Sequence, residues 1–442
     1  MIQPCVTSSS SARIPHRAAL CRPSWLASTV LLAALAACGG GGGASHDDHG
    51  QTHIDTRGRL SIADSEAPLL HVFDLDTHQI QARHTLKAPA SAVYASPGKR
   101  YALAIQRMHD RVQLVDGGIW QEDHGDHQHD YRQPSTLLDW QLDGVRPTHY
   151  NPLANGSAAL FMDGKAGDTP QINAGAQVIS DVSIRDRKLL ASQTLPTPMH
   201  GAALPMDDVL LTTLRTAPAT ASDVLPERVQ IHHRQGSAYQ PGQTLPTACP
   251  RLHGADASGT HAAFGCADGV LLITRNGNQF SDRKIEMPTR AASLYSHASR
   301  PGHFIAIGNA GTPATTHFHA IDGSTGTATR VIPDGWQDGQ LRRSSIFDRR
   351  GSLHILDSSG ALYTLRFSEG HWQTVRRTAG VLTMPEAAPW PVLVASGARD
   401  ELYLSDPKGR QILHIDSNSH NISRRDQLDF NPAGMTWTGI SR

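Results

Sequence analysis

The sequence predicts an all-β protein: a β-propeller of eight four-stranded blades, with seven as the alternative, closed by pairing of its N- and C-terminal strands. Three observations predict it. Past residue 58 the chain is a succession of short runs such as "YALAIQ", "RVQLVDGG", "GVLLITRNG", "FIAIGNAG" and "ELYLSD", each strand-length and closed by Gly, Asp, Asn or Pro turn residues. No amphipathic helix of ten or more residues competes with them. A four-strand plan then recurs, with units beginning near residues 91, 147, 198, 251, 293, 344 and 391, and four-stranded repeats of roughly forty to fifty residues mean propeller blades.

The ends complete the ring. "RLSIAD", "LLHVFDL" and "IQARHTL", near residues 59 to 86, supply three strands, and "GMTWTGIS" at the C-terminus supplies a lone first strand. Residues 58–442 are therefore expected to form one domain, a size that repeat folds permit.

Ahead of the domain stands an expected targeting segment, residues 1–38. Arg13, Arg17 and Arg22 precede "WLASTVLLAALAAC", which is apolar but too short for a permanent membrane anchor. It ends in Leu35-Ala36-Ala37-Cys38, similar to a bacterial lipobox in which Cys38 is lipidated. Ordinary cleavage to a free periplasmic protein is the alternative. Gly39 follows Cys38 rather than the aspartate that retains lipoproteins at the inner membrane, so the outer membrane is the expected site. Residues 39–57 read as a flexible segment, first Gly-rich and then rich in His and Asp at His46, Asp47, Asp48, His49 and His53. After removal of the leader and lipidation of Cys38, only Cys249 and Cys266 remain, and one pair in an oxidising compartment reads as a disulfide. A Cys-ligated metal site is the rival, disfavoured by the spacing and the lack of a CxxC.

Composition narrows the function. The chain has 442 residues, 40 basic and 40 acidic side chains and a formal net charge of zero, which makes no electrostatic case for nucleic acid. Membrane contact is expected only through the lipid anchor. Histidine is the outlier at 25 residues, and histidine is the commonest metal ligand.

Position gives the histidines meaning. Units starting "HYNPLANGSAALF", "HGAALPMDDVLLT", "HGADASGTHAAFG" and "HASRPGHFIAI" place His149, His200, His253 and His297 at nearly the same expected point of successive innermost strands. Such positions converge on the propeller axis, where neutral imidazoles suit Zn²⁺. The alternative for any one of them is a hydrogen bond that pins the next blade. A second group lies in "IWQEDHGDHQHDYRQPS", a long insertion between the third and fourth strands of its unit. His127 and His129, two apart, share a side of an extended segment. His124 joins them across the Gly125 turn, and Asp123 and Asp126 are available to ligate or to orient an imidazole. The expectation is that this loop folds over the channel mouth and its histidines complete the channel site, with affinity falling as pH drops through the histidine range. A solvated polar loop is the alternative.

The stretch "GGIWQEDHGDHQHDY" resembles the His-rich loop of the AztD family of periplasmic zinc metallochaperones. "THYNPLANGSAALFMDGK", "MHGAALP", "CPRLHGADA" with the later "FGCADG", and the start "HDDHGQTH" extend the resemblance over most of the chain past residue 46. The resemblance implies a propeller that binds zinc and hands it to the solute-binding protein of a zinc ABC importer. It implies zinc ligands among His124, His127, His129, His149, His200 and His253, and an auxiliary carrier role for the His-rich start. Two features depart from the family: the expected lipid anchor, and Asp130 after the HxH where an aromatic is usual. On this reading the protein is not an enzyme. Two other functions stay open. A metal-dependent propeller hydrolase or lactonase would need a base such as Glu122, Asp123 or Asp126, but no nucleophile elbow, phosphate loop or HExxH is present. The other is an interaction propeller without metal.

Overall fold

The computed structural model describes residues 53–218 and 224–442. The expected leader, Cys38 and the carrier residues His46, Asp47, Asp48 and His49 lie outside the described residues. Among the described residues no helix is long and apolar enough to cross a membrane.

The described residues form six four-stranded antiparallel sheets, one eight-stranded sheet and a two-stranded hairpin. The eight-stranded sheet is two four-stranded halves joined by a single parallel bridge between Ser192 and Ala238. Each four-stranded set is a simple up-and-down meander, and the whole is the expected β-propeller.

Burial follows strand position. Second strands such as Tyr101–Gln106 and Ala158–Met162 are buried along their entire length because a neighbouring sheet covers each face. Fourth strands such as Gln79–Thr85 alternate exposed and half-buried residues, as an outer rim facing water must. The core is accordingly a series of inter-sheet clusters. One packs Leu204, Leu211 and Ile231 against Leu252, Phe264 and Ile273, each such side chain contributing about 1.5–3 kcal/mol.

The ring closes as expected. Pro432–Thr438 at the C-terminus is the innermost strand of a sheet whose other strands, Arg59–Asp64, Leu69–Asp74 and Gln79–Thr85, come from the N-terminal end. Leu60 pairs with Trp437, whose indole N–H donates to the Arg57 carbonyl at 2.8 Å. Residues 53–57, expected in a flexible segment, are held against the propeller. Thr56 Oγ1 and Arg57 N donate to Asp76 at 2.6 and 2.8 Å, and Ile54 N donates to Asp130 Oδ2 at 2.8 Å.

Candidate metal centre

His149, His200 and His253 come together. Each sits near the start of an innermost strand, level with the end of the second strand beside it. The Pro147–Met162 and Tyr150–Leu160 pairs bracket His149. The Thr213 amide donates to Ala202 two residues past His200, and the His253 amide donates to Gly265. Their ring centroids lie 4.7, 4.8 and 5.1 Å apart.

The outer nitrogens set the tautomers. His149 Nδ1 lies 2.7 Å from the Gly201 carbonyl oxygen and His253 Nδ1 lies 2.8 Å from that of Ala292. His200 Nδ1 lies 2.8 Å from Asp163 Oδ2. With a proton on each Nδ1, all three Nε2 lone pairs are free for a metal. His200 Nε2 and His253 Nε2 stand 3.2 Å apart. Two ligands about 2.0–2.1 Å from a tetrahedral Zn²⁺ stand roughly 3.3 Å apart.

The His-Gly pairs have a structural reason. A Cβ on Gly201 would meet Thr213 Oγ1 at 2.1 Å, and one on Gly254 would meet the Ala292 carbonyl oxygen at 2.5 Å. Glycine lets the backbone close in where these carbonyls hold the imidazoles.

Burial keeps two of the rings, His149 and His253, neutral. Burial pushes His149 down to about 4, helped by the neighbouring His200 and opposed by the Gly201 carbonyl. Burial also lowers His253. Neutral imidazole is the ligating form, so both are ready at neutral pH. Asp163 also pairs with Arg107 at 2.6 Å, and its Oδ1 is buried without a hydrogen bond. Arg107, Arg146, Met199 and His200 line a recess of about 290 Å³ beside the group. Three imidazoles would leave one position of a tetrahedral ion open to a further ligand.

His297 is placed apart from these three, which corrects the expectation that it shares their level. Ser296 pairs with Phe304 near the start of its second strand, so His297 lies at the opposite end of the blade. His297 follows the last residue of its innermost strand, Ser293–Ser296, whereas His253 precedes Ala255–Ser258. His297 Nδ1 bonds Ser299 Oγ at 2.8 Å, and the ring packs on Phe347.

The His-rich insertion forms the hairpin Ile119–Asp123 and Gln128–Arg132, with Glu122 paired to His129 and Gly125 turning at φ 93°. The rings of His124, His127 and His129 gather with centroids 4.7, 5.0 and 5.5 Å apart. Asp126 Oδ1 lies 2.6 Å from His127 Nδ1, and Glu122 lies 3.9 Å from His124. Trp120 stacks on Tyr131, and the Arg100 guanidinium lies over Trp120 at 3.7 Å.

The hairpin does not cover the histidine triad. It leaves the end of Arg111–Asp116, where Asp116 pairs with Tyr101 at the start of its second strand. The triad lies where second strands end. The two histidine groups therefore occupy opposite faces of the ring, which corrects the expectation that the loop completes the channel site. Strand direction decides this: a third-to-fourth strand connection emerges on the face away from the entry of the innermost strand.

Asp130 gains a reason as well. It is 4 % exposed, and its carboxylate takes hydrogen bonds from Gln121 Nε2 at 2.7 Å, from Ile54 N and from Arg442, with His53 Nδ1 at 3.3 Å. Burial opposes its charge, yet these donors hold its pKa below the usual carboxylate range. An aromatic there would tie down neither chain end.

Cys249 and Cys266 are joined by a disulfide. It flanks His253, whose amide donates to Gly265. Asp163, Gly201 and Ala292 escaped notice as partners in the sequence. The aspartate closing the second strand in "FMDGK" is the one signal available for Asp163.

No family model matches the chain. The zinc chaperone AztD of Citrobacter koseri is 24% identical over 401 residues, covering 87% of this chain and 87% of the relative. A crystal structure of Citrobacter koseri AztD superposes with a TM-score of 0.70 at 22% identity, over 87% of this chain and 99% of that one. A structure of apo AztD from Citrobacter koseri gives 0.69 at 21% identity, over 86% and 98%. The resemblance to the AztD family carried by the His-rich stretch thus extends along most of the chain and includes its propeller fold.

Proposed function

We propose that the protein is a zinc-binding metallochaperone, carrying zinc on His149, His200 and His253 and passing it to the solute-binding protein of a zinc ABC importer. The single observation that carries this reading is the convergence of three Nε2 atoms whose Nδ1 partners are all engaged. Three neutral imidazoles bind firmly, and the open fourth position admits an incoming ligand, as transfer requires. Resemblance to a relative named as a zinc chaperone supports the choice of cargo.

The hairpin histidines His124, His127 and His129, with Asp126, are a second carrier on the other face. The His/Asp-rich residues His46, Asp47, Asp48, His49 and His53 serve as an auxiliary carrier in this reading. Export by residues 1–38 places the protein in the periplasm, anchored through Cys38, on the outer membrane. The reading assigns no catalysis.

The test is metal content of the mature protein purified without chelator, beside His149→Ala and His127→Ala/His129→Ala variants, followed by mixing with the apo solute-binding protein. The expected result is bound zinc, reduced in each variant, that moves to the partner faster than it dissociates into a chelator. No zinc in any form, and no uptake on addition, would leave an interaction propeller. Turnover of an ester or lactone would favour the hydrolase.

A further inference from the structure

Among the described residues, two groups of three place their ligand atoms within 4.8 Å of one another. One is the triad. The other is His78, His414 and Asp426, far from it in the chain and in another part of the ring. We propose that this second group is a distinct divalent-cation site that staples the seam where the propeller closes.

Its place in the fold carries the idea. His414 and Asp426 belong to the third and fourth strands of the last blade, Gln411–Asp416 and Ile422–Gln427. His78 stands in the turn between Leu69–Asp74 and Gln79–Thr85 of the closing sheet. An ion bound by all three bridges two neighbouring blades whose strands come from opposite ends of the chain.

The donor chemistry fits. Two imidazoles and one carboxylate suit zinc and its neighbours in the first transition row. Asp426 Oδ2 lies 3.3 Å from His78 Nδ1 and 2.7 Å from a His414 ring nitrogen. The first matches the roughly 3.3 Å between tetrahedral ligands, and the second needs an opening of roughly 0.6 Å. Arg424 donates to Oδ1 at 2.5 Å, leaving Oδ2 for the ion.

The burial of His414 is a second observation. The ring is 1 % exposed, its Nδ1 has no hydrogen-bond partner, and its Nε2 meets only the Asp426 carboxylate, at 2.7 Å. Burial holds this imidazole in its neutral form, which is the ligating one. The other charges nearby are already paired. Arg57 is bound to Glu401, and Glu401 accepts from Tyr403 at 2.6 Å, the ring of which packs edge-on against His414.

Buried third-strand histidines recur here, at His71, His232 and His319, so burial of His414 alone is a feature of the fold. The contributions of His78 and Asp426 set it apart.

The test separates this seam from both other histidine groups. A background chain carries His149→Ala, His200→Ala, His253→Ala, His124→Ala, His127→Ala and His129→Ala. It is dialysed against micromolar zinc, analysed for metal and melted with and without zinc, beside the same background with His78→Asn and Asp426→Asn. Asparagine suits position 78, where φ is 57°. The expected result is about one zinc per chain more in the background than in the seam variant, and a zinc-dependent rise in melting temperature that the seam variant loses. Equal zinc in the two, or melting that zinc does not move, overturns the proposal. Should six replacements unfold the chain, the comparison is made in the otherwise unaltered protein, where His78→Asn must lower bound zinc by one per chain. Loss of zinc at the triad leaves this result unaffected, so the two readings fail separately.

Discussion

His200 Nε2 and His253 Nε2 stand 3.2 Å apart, although 53 residues separate them in the chain. Each ring is held from behind, one by a carboxylate and the other by a carbonyl. Two lone pairs facing each other at that distance repel unless an ion lies between them. Replacing His200 or His253 by alanine is expected to weaken zinc binding at this face by more than the roughly 10–100-fold that loss of an outer partner costs. Competition titration against a chromophoric chelator measures it. Unchanged affinity in either variant would remove the triad from the zinc site.

Asp163 acts through His200 and Arg107, with contacts of 2.8 and 2.6 Å. Asp163→Asn keeps the shape and removes the charge. Zinc affinity at the triad should fall by roughly 10–100-fold with little change in melting temperature. A large drop in melting temperature without a change in affinity would make Asp163 a structural residue only.

The opposite faces of the triad and the hairpin predict independence. His127→Ala/His129→Ala should remove the hairpin's zinc and leave the triad's affinity within experimental error, since contributions from separated sites add. Calorimetry resolves the two sets of sites. A weakened triad in that variant would contradict the geometry.

Stability should depend on pH through buried histidines outside the metal groups. Burial pushes His232 and His420 down to about 4, helped by the neighbouring His233 and His354 respectively. Above about 6.5 both are neutral whether folded or unfolded, and contribute nothing. Between there and about 4 the unfolded chain binds protons that the folded one refuses. Stability therefore falls with pH, by up to about 1.4 kcal/mol per unit for each. Urea midpoints of metal-free protein at pH 7.5, 5.5 and 4.5 read this. A midpoint that rises on acidification would reverse the sign and refute it.

The disulfide closes a loop of sequence separation 17 that contains His253. Cys249→Ser/Cys266→Ser is expected to cost about 3 kcal/mol of stability. Because Cys266 follows Gly265, the acceptor of the His253 amide, the variant should also weaken zinc binding at the triad while sparing the hairpin. Denaturation midpoints and site-resolved calorimetry are the measurements. Equal loss at both sites would mean general unfolding instead.

Much of this was legible in the sequence. Strand-length runs with turn residues after them are local signals, and the lone C-terminal strand in "GMTWTGIS" told how the ring closes. The histidines at 149, 200 and 253 recur at one spacing, so a repeat fold had to bring them near one axis. His297 broke that spacing, and the structure places it after Ser296, the last residue of its innermost strand, whereas His253 precedes Ala255–Ser258. The departure at Asp130 was visible as a residue, while its partners Ile54, Gln121 and Arg442 were not.

The sequence by itself determined the strand order, the repeat and the residue types offered to a metal, because these depend on short-range pattern. Only the tertiary structure decided which histidines share a face. Strand direction through the blade separates the hairpin from the triad, and no local pattern encodes it. Only the tertiary structure supplied Asp163, Gly201 and Ala292 as the groups that orient the imidazoles, since these partners come from other strands. It also set His78 beside His414 and Asp426. Closure of the ring joins residues more than 300 positions apart, and that proximity exists only once the last strand pairs with the first.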